Sequence, residues 1–226
     1  MKLYIANKNY SSWSMRPWVL MTGLGIAFEE VMVPFDFGPD SRFAATLAPI
    51  APTGQVPVLV DAAGFAVWES LAIVEALHER FPAAGVWPAD AQARARARSV
   101  CAEMHAGFGQ LRRLCPMNVE AHLPEVGARL WRDEAGLRAN VARVEQLWGD
   151  ALAASGGPFL FGAFGAADAF FAPVVMRTSR YALPLGPVAQ AYAERLEAHP
   201  AVQAWIAGAL AEKTFVPEDE PYRSAR

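Results

Sequence analysis

The chain has only two cysteines in 226 residues, Cys101 and Cys115. Their spacing matches neither a CxxC redox pair nor a zinc-binding pattern. Both fall in helix-periodic sequence, so buried free thiols in a reducing cytoplasm are expected. Positive charge is not in excess either. Twenty Lys and Arg face 23 Asp and Glu, a formal net charge of -3, which gives no electrostatic case for nucleic acid. No apolar run reaches the roughly 18 residues of a membrane span, and the start, MKLYIANKNY, lacks the apolar core of a signal peptide. No cluster of His, Cys and carboxylates has metal-ligand spacing, so no metal is expected. Phosphate loops, internal repeats and low-complexity tracts are absent too. Apolar residues are plentiful: 54% hydrophobic against 19% charged suffices for one large domain or two small ones.

In chain order, Lys2 to Ala6 reads as a strand, and Ser14 as the N-cap of a helix with Pro17 in its first turn and Gly25 at its end. Phe28 to Phe35 reads as a second strand, giving a βαβ unit. Asp36 to Pro52 is polar and punctuated by Gly and Pro, an irregular stretch with a short helix. Thr53 to Ser70, TGQVPVLVDAAGFAVWES, then supplies a turn, two short strands around Asp61–Gly64, and the start of a helix running to Phe81–Pro82. Within it, Pro57 opens a strand and leaves the backbone of Val56 free to bond something else, or is simply an edge proline. Glu69 and Ser70 stand at a helix start, an anion-favouring position or an ordinary cap.

Beyond Pro82 strand signals vanish. Gln92 to Leu114 and Arg129 to Ala153 each read as one long helix, Gly162 to Ala182 as a third, and Val188 to Leu196 and Val202 to Leu210 as two shorter ones. The expected organisation is an α/β domain over 1–82, a linker over 83–91 and an all-helical domain over 92–226.

This order of elements, with QVPVL followed by WESLAIVEAL and the later LFGAFGAADAFFAP, resembles the cytosolic glutathione S-transferase superfamily. The resemblance covers nearly the whole chain. It implies a thioredoxin-like N-terminal domain joined to an all-α C-terminal domain. It also implies a cis-proline at Val56–Pro57, glutathione as cosubstrate, no metal and a homodimer. Asp168 falls where the family has a helix-capping acid. Gly165 stands in place of the usual Ser or Thr, so a one-sided cap is expected. The loop Ser11-Ser12-Trp13-Ser14-Met15-Arg16 is similar to the serine-rich loop of the zeta class, the maleylacetoacetate isomerases, with Trp13 where that class has Cys.

The resemblance assigns thiol activation to Ser11, with Ser12 and Ser14 as rival donors. A hydroxyl aimed at the sulfur, together with a helix N-terminus, favours the thiolate, which is the reactive form. Lowering a thiol pKa by about 2 units takes roughly 2.7 kcal/mol, within reach of those two effects. Glutathione contacts are expected from Ser12, Trp13, Arg42, Gln55, Val56, Pro57, Glu69 and Ser70. Val56 would pair with the cysteinyl backbone, Glu69 with the γ-glutamyl ammonium and Ser70 with its carboxylate. His105, Arg112, Arg177, Arg180 and Tyr181 are expected around the second substrate, a small electrophile, with Arg180 suited to a carboxylate. The implied activity is a glutathione-dependent transferase or isomerase. A non-enzymatic binding module of the same fold and a glutathione-dependent disulfide reductase or peroxidase are the alternatives.

Overall fold

A computed structural model of the chain describes residues 1–38 and 41–225. Pro39 and Asp40, in the stretch expected to be irregular, lie outside the described residues, as does Arg226. Four short strands form one sheet in the order β2-β1-β3-β4: β1 (Lys2–Ile5), β2 (Glu29–Met32), β3 (Val58–Val60) and β4 (Ala66–Trp68). β1 and β2 run parallel; β3 and β4 are antiparallel to their neighbours. The second strand is shorter than the Phe28–Phe35 run suggested, because Val33 is the last residue bonded to β1, through the Ile5 carbonyl. In β3 the side chains alternate. Leu59 joins the large core, while Val58 and Val60 face a smaller cluster with Val33, Leu47 and Ala51.

Helix α1 (Ser12–Gly23) links β1 to β2. It begins earlier than expected: Ser11, not Ser14, is the N-cap, its Oγ accepting the Ser14 N–H at 3.4 Å. Ser14 lies inside the first turn, and its hydroxyl accepts the Ala6 N–H at 3.2 Å. Pro17 therefore falls in the second turn, where it removes the bond that would reach the Trp13 carbonyl. The helix closes with a Schellman pattern: Ile26 donates to the Met21 carbonyl and Gly25 to that of Thr22, with Gly25 at φ +66°.

Helices α2 (Arg42–Leu47) and α3 (Ser70–Arg80) complete the first half. The second half is helical: α4 (Ala91–Ala106), α5 (Gly109–Leu114), α6 (Pro124–Asp133), α7 (Ala135–Ser155), α8 (Ala166–Arg180), α9 (Pro187–Glu197) and α10 (Pro200–Glu212). The long helix expected over Gln92–Leu114 is in fact two, turned by left-handed backbone at Phe108 (φ 60°). Arg112 makes the break affordable by donating to the carbonyls of Met104, His105 and Gly107, acceptors that the end of α4 would otherwise orphan. Likewise Arg129–Ala153 spans the end of α6 and most of α7, separated at the extended Glu134.

α8 is the central helix, buried from Ala166 to Thr178 and packed on α1 and α4. Asp168 anchors its start. One carboxylate oxygen accepts the Gly165 N–H at 3.0 Å; the other accepts the Leu160 N–H at 3.1 Å and the Tyr192 hydroxyl at 2.8 Å. A bidentate pair from Arg98 to Glu75 (2.8 and 2.7 Å) ties α4 to α3. Among the described residues, no helix is long and apolar enough to cross a membrane.

Candidate functional site

A cleft of about 700 Å³ opens where the start of α1, the approach to β3, the start of α3 and the end of α4 converge. Ser11 and Trp13 line one wall. Thr53, Gly54, Gln55, Val56 and Pro57 line the second, and Glu69 and His105 complete it. Phe35, Phe37 and Phe43 form an aromatic rim; the Phe35 ring lies 5.5 Å from each of the other two.

Each wall follows from local sequence. Ser11 reaches the cleft because it caps α1, next to that helix's unsatisfied N–H groups. Its hydroxyl is 2.7 Å from the Ser14 hydroxyl. The Val56–Pro57 peptide is cis, and no hydrogen bond among the described residues uses the backbone of Val56. Glu69, the residue before α3, has φ +69° and ψ 126° and makes no side-chain cap. A non-glycine residue held there is strained, a state that functional sites tend to concentrate.

Behind the cleft the charge is unbalanced. Trp13 is flanked by two guanidiniums, Arg16 at 4.1 Å and Arg112 at 4.8 Å from its ring centre, with His105 edge-on at 5.0 Å. Burial, then Arg16, pushes the His105 pKa below its usual value, against the opposing pull of Glu69. Its Nε2 lies 3.7 Å from the Glu69 carboxylate, too far for a hydrogen bond, and the ring is neutral near pH 7. Burial lowers the Arg112 pKa as well.

Of the residues expected at the site, Ser11, Trp13, Gln55, Val56, Pro57, Glu69 and His105 meet in the cleft. The others do not line it. Ser12 turns inward, its hydroxyl accepting from Arg177 at 3.2 Å. Arg42 contributes a backbone N–H to Asp36 at 2.9 Å. Ser70 is fully buried behind Glu69. Arg112 is held under Trp13 by its bonds to the end of α4.

Three residues expected around the second substrate are bonded to partners outside the cleft lining. Arg177 is buried and donates to the Cys115 carbonyl at 2.9 Å; burial lowers its pKa to about 10. Arg180 pairs with Glu197 at 2.8 Å and donates to the Val119 carbonyl. The buried Tyr181 donates to the Pro116 carbonyl. Helical spacing from Asp168 places these side chains on α8 and at its end, but not which face turns to the cleft. The missed residues are the Phe35–Phe37–Phe43 rim, on a stretch without periodicity, and Arg16. The thiols of Cys101 and Cys115 are free, buried and outside the cleft, and burial pushes that of Cys115 up to about 12. No group of three or more His, Cys, Asp or Glu among the described residues could hold a metal ion.

Comparison with known proteins adds to this geometry. The family model for the glutathione S-transferase N-terminal domain matches residues 10–80, and that for the C-terminal domain matches residues 75–208. A maleylacetoacetate isomerase of Pseudomonas aeruginosa is 31% identical over 213 residues, covering 89% of this chain and 93% of that one. Similar solved structures include a maleylacetoacetate isomerase from Methylobacterium extorquens AM1 with bound malonate and glutathione. It is 26% identical with a TM-score of 0.67, and the match covers 92% of this chain and 97% of that one. A glutathione transferase homologue from Burkholderia with bound glutathione is also 26% identical, with a TM-score of 0.64, covering 93% and 98%.

Proposed function

Because this chain belongs to the glutathione S-transferase family, we propose that it binds glutathione in the cleft and uses the Ser11 hydroxyl to activate the thiol for attack on a small electrophile. The observation that carries this reading is the convergence of Ser11, at the head of α1, with the unbonded backbone of Val56 and the strained Glu69 in one cleft. Val56 offers an N–H and a C=O to the cysteinyl backbone as an added strand. Glu69 faces the γ-glutamyl ammonium, and the N-terminus of α3 faces its carboxylate. The sulfur then lies near the start of α1, where the Ser11 hydroxyl donates to it and the helix field favours the anion.

The second substrate occupies the space between Trp13, His105 and the phenylalanine rim. The neutral His105 suits it to exchange a proton with that substrate near neutral pH. Two outcomes share one first step. The thiolate adds to an electrophilic carbon, and the anionic adduct either expels a leaving group such as halide, or takes up a proton, to remain a conjugate, or it expels the thiolate again after rotation about the former double bond, which gives isomerisation. The bound malonate of the Methylobacterium relative supports a small carboxylate-bearing substrate for the isomerase route. As parts of the same reading, residues 1–82 form the glutathione-binding domain and residues 92–226 the substrate domain, joined by 83–91. The protein works as a cytoplasmic homodimer.

Retention on immobilised glutathione, followed by assays with a nitroaromatic halide and with a maleyl-type cis-dienoate, tests the proposal. Glutathione-dependent turnover of either electrophile is expected. A protein with no calorimetric binding of glutathione is instead a binding module of another kind.

A further inference from the structure

Arg16 is fully buried in the second turn of α1, yet it has no carboxylate partner among the described residues. Its single hydrogen bond is a long one, from Nη1 to the Ser70 hydroxyl at 3.5 Å at the first residue of α3. Its Nε and Nη2 have no partner. The guanidinium is packed between the rings of Trp13 and Phe170, at 4.1 and 4.9 Å. Two more cations stand close by. Arg112 lies over the Trp13 ring with Nη1 unpartnered, and Arg177 reaches Ser12. Neither has a carboxylate partner among the described residues. The Cys101 thiol next to Arg16 is pushed far above its usual range by burial and so carries no charge. Among the described residues, the acid acting on Arg16 is Glu69, half exposed at the cleft.

A buried charge without a counterion is costly, and a hydrophobic residue of similar size is often the more stable choice. Ring faces offset part of that cost, but two guanidinium nitrogens stay unsatisfied. Burial first, and then repulsion from Arg112 and Arg177, lowers the Arg16 pKa, the direction expected of a cation missing its partner.

We propose that Arg16 is the buried countercharge of an anion bound in the cleft, acting through Trp13 and Ser70 as a positioning residue that makes the site selective for that anion. This rests on the glutathione reading above and deepens it. Glutathione brings two anions to this wall, the thiolate by Ser11 and the γ-glutamyl carboxylate by the start of α3. The shared chemistry is a localised negative charge against the Trp13–Ser70 surface, one layer from the guanidinium.

The test compares the full-length wild type with Arg16→Met and Arg16→Lys, using calorimetry and ultraviolet titration of the bound thiol. Three probes are used: glutathione, S-methylglutathione and 4-aminobutyryl-cysteinylglycine, which lacks the γ-glutamyl carboxylate. Arg16→Met is expected to bind glutathione at least tenfold more weakly and to melt no lower than wild type, while Arg16→Lys recovers most of the affinity. If the carboxylate is the counterion, the loss persists with S-methylglutathione and disappears with the aminobutyryl analogue. If the thiolate is, the loss disappears with S-methylglutathione and the bound thiol titrates about one pH unit higher. Equal losses for all three probes, equal losses in the Met and Lys variants, or no loss at all overturns the assignment. Should the Met variant not fold, Arg16→Gln is judged by the same criteria. A wild type that binds no glutathione overturns the glutathione reading along with it, whereas normal wild-type binding with an inert Arg16 overturns the countercharge alone.

Discussion

The Ser11 and Ser14 hydroxyls are 2.7 Å apart, and the Ser14 oxygen also accepts the Ala6 N–H. The Ser11 hydroxyl donates to that of Ser14. On the proposed reading, an arriving thiolate reverses the pair: Ser14 donates to Ser11, and Ser11 donates to sulfur. On that reading the two serines act as a relay anchored at Ala6, the residue after β1.

This pairing sets an order of effects. Ser11→Ala removes the donor itself, a charge-assisted bond of about 1.5–3 kcal/mol, so kcat/KM for conjugation should fall roughly 10- to 100-fold and the bound thiol should titrate higher. Ser14→Ala leaves the donor but frees it to rotate, and a smaller loss, about threefold to tenfold, is expected. A Ser14 variant more damaged than the Ser11 variant would reverse the assignment.

Arg180 gives a contrasting prediction. Its guanidinium is already committed to Glu197 and to the Val119 carbonyl. Arg180→Met should therefore leave the KM of an anionic electrophile within about twofold of wild type, while lowering stability by about 1 kcal/mol in urea melts. A large rise in KM with unchanged stability would restore Arg180 to the substrate site.

The segment after α10 provides another test. The Tyr10 hydroxyl, next to Ser11 in the chain, donates to the buried Glu220 at 2.8 Å and accepts the Val216 N–H at 3.3 Å. Tyr222 donates to the Leu114 carbonyl at 2.8 Å. The C-terminal stretch thus straps down the loop that presents Ser11. Tyr10→Phe should cost about 1–2 kcal/mol, since it leaves the Val216 N–H without its acceptor and the buried Glu220 Oε1 with Arg223 as a remaining donor. The loop around residue 11 should also become easier to cleave in limited proteolysis. A variant as stable and protease-resistant as wild type would show that the strap holds nothing.

The legibility of the chain follows the range of the forces involved. The βαβ-α-ββα order, the helical second half and the Asp168 cap rest on local periodicity and capping residues, and all three are seen in the fold. The break at Phe108 was hidden because it depends on Arg112 reaching back to the carbonyls of α4, a bond no short window displays. The fates of Arg177, Arg180 and Tyr181 were hidden for a related reason. Their spacing along α8 is readable, but their partners Cys115, Glu197 and Pro116 come from elsewhere in the chain. In the cleft, Val56 and Glu69 were legible from turn and cap chemistry, whereas Ser11 came only from the resemblance, since cap chemistry pointed to Ser14. Arg16 stands within the quoted serine-rich loop, but its isolation from any acid exists only once the helices pack.

Asp168 supplies the clearest pH dependence. Burial raises its pKa from 3.8 to about 6, against the opposing bonds from Leu160, Tyr192 and Gly165. The folded chain therefore holds this proton more tightly than the unfolded chain. The stability it contributes is fully present below about pH 3.8 and is lost as pH rises through about 6. At 1.36 kcal/mol per pH unit, the change is on the order of 3 kcal/mol. Asp168→Asn removes the titration and sets an amide donor against the Gly165 N–H or the Tyr192 hydroxyl, so the variant should be less stable throughout. Its deficit relative to wild type should shrink between pH 4 and pH 6.5, as the wild type loses the protonated-state advantage. Paired urea melts at those two pH values measure the difference directly. A deficit that grows toward pH 6.5 would mean that the Asp168 carboxylate is better stabilised by its three donors than burial penalises it.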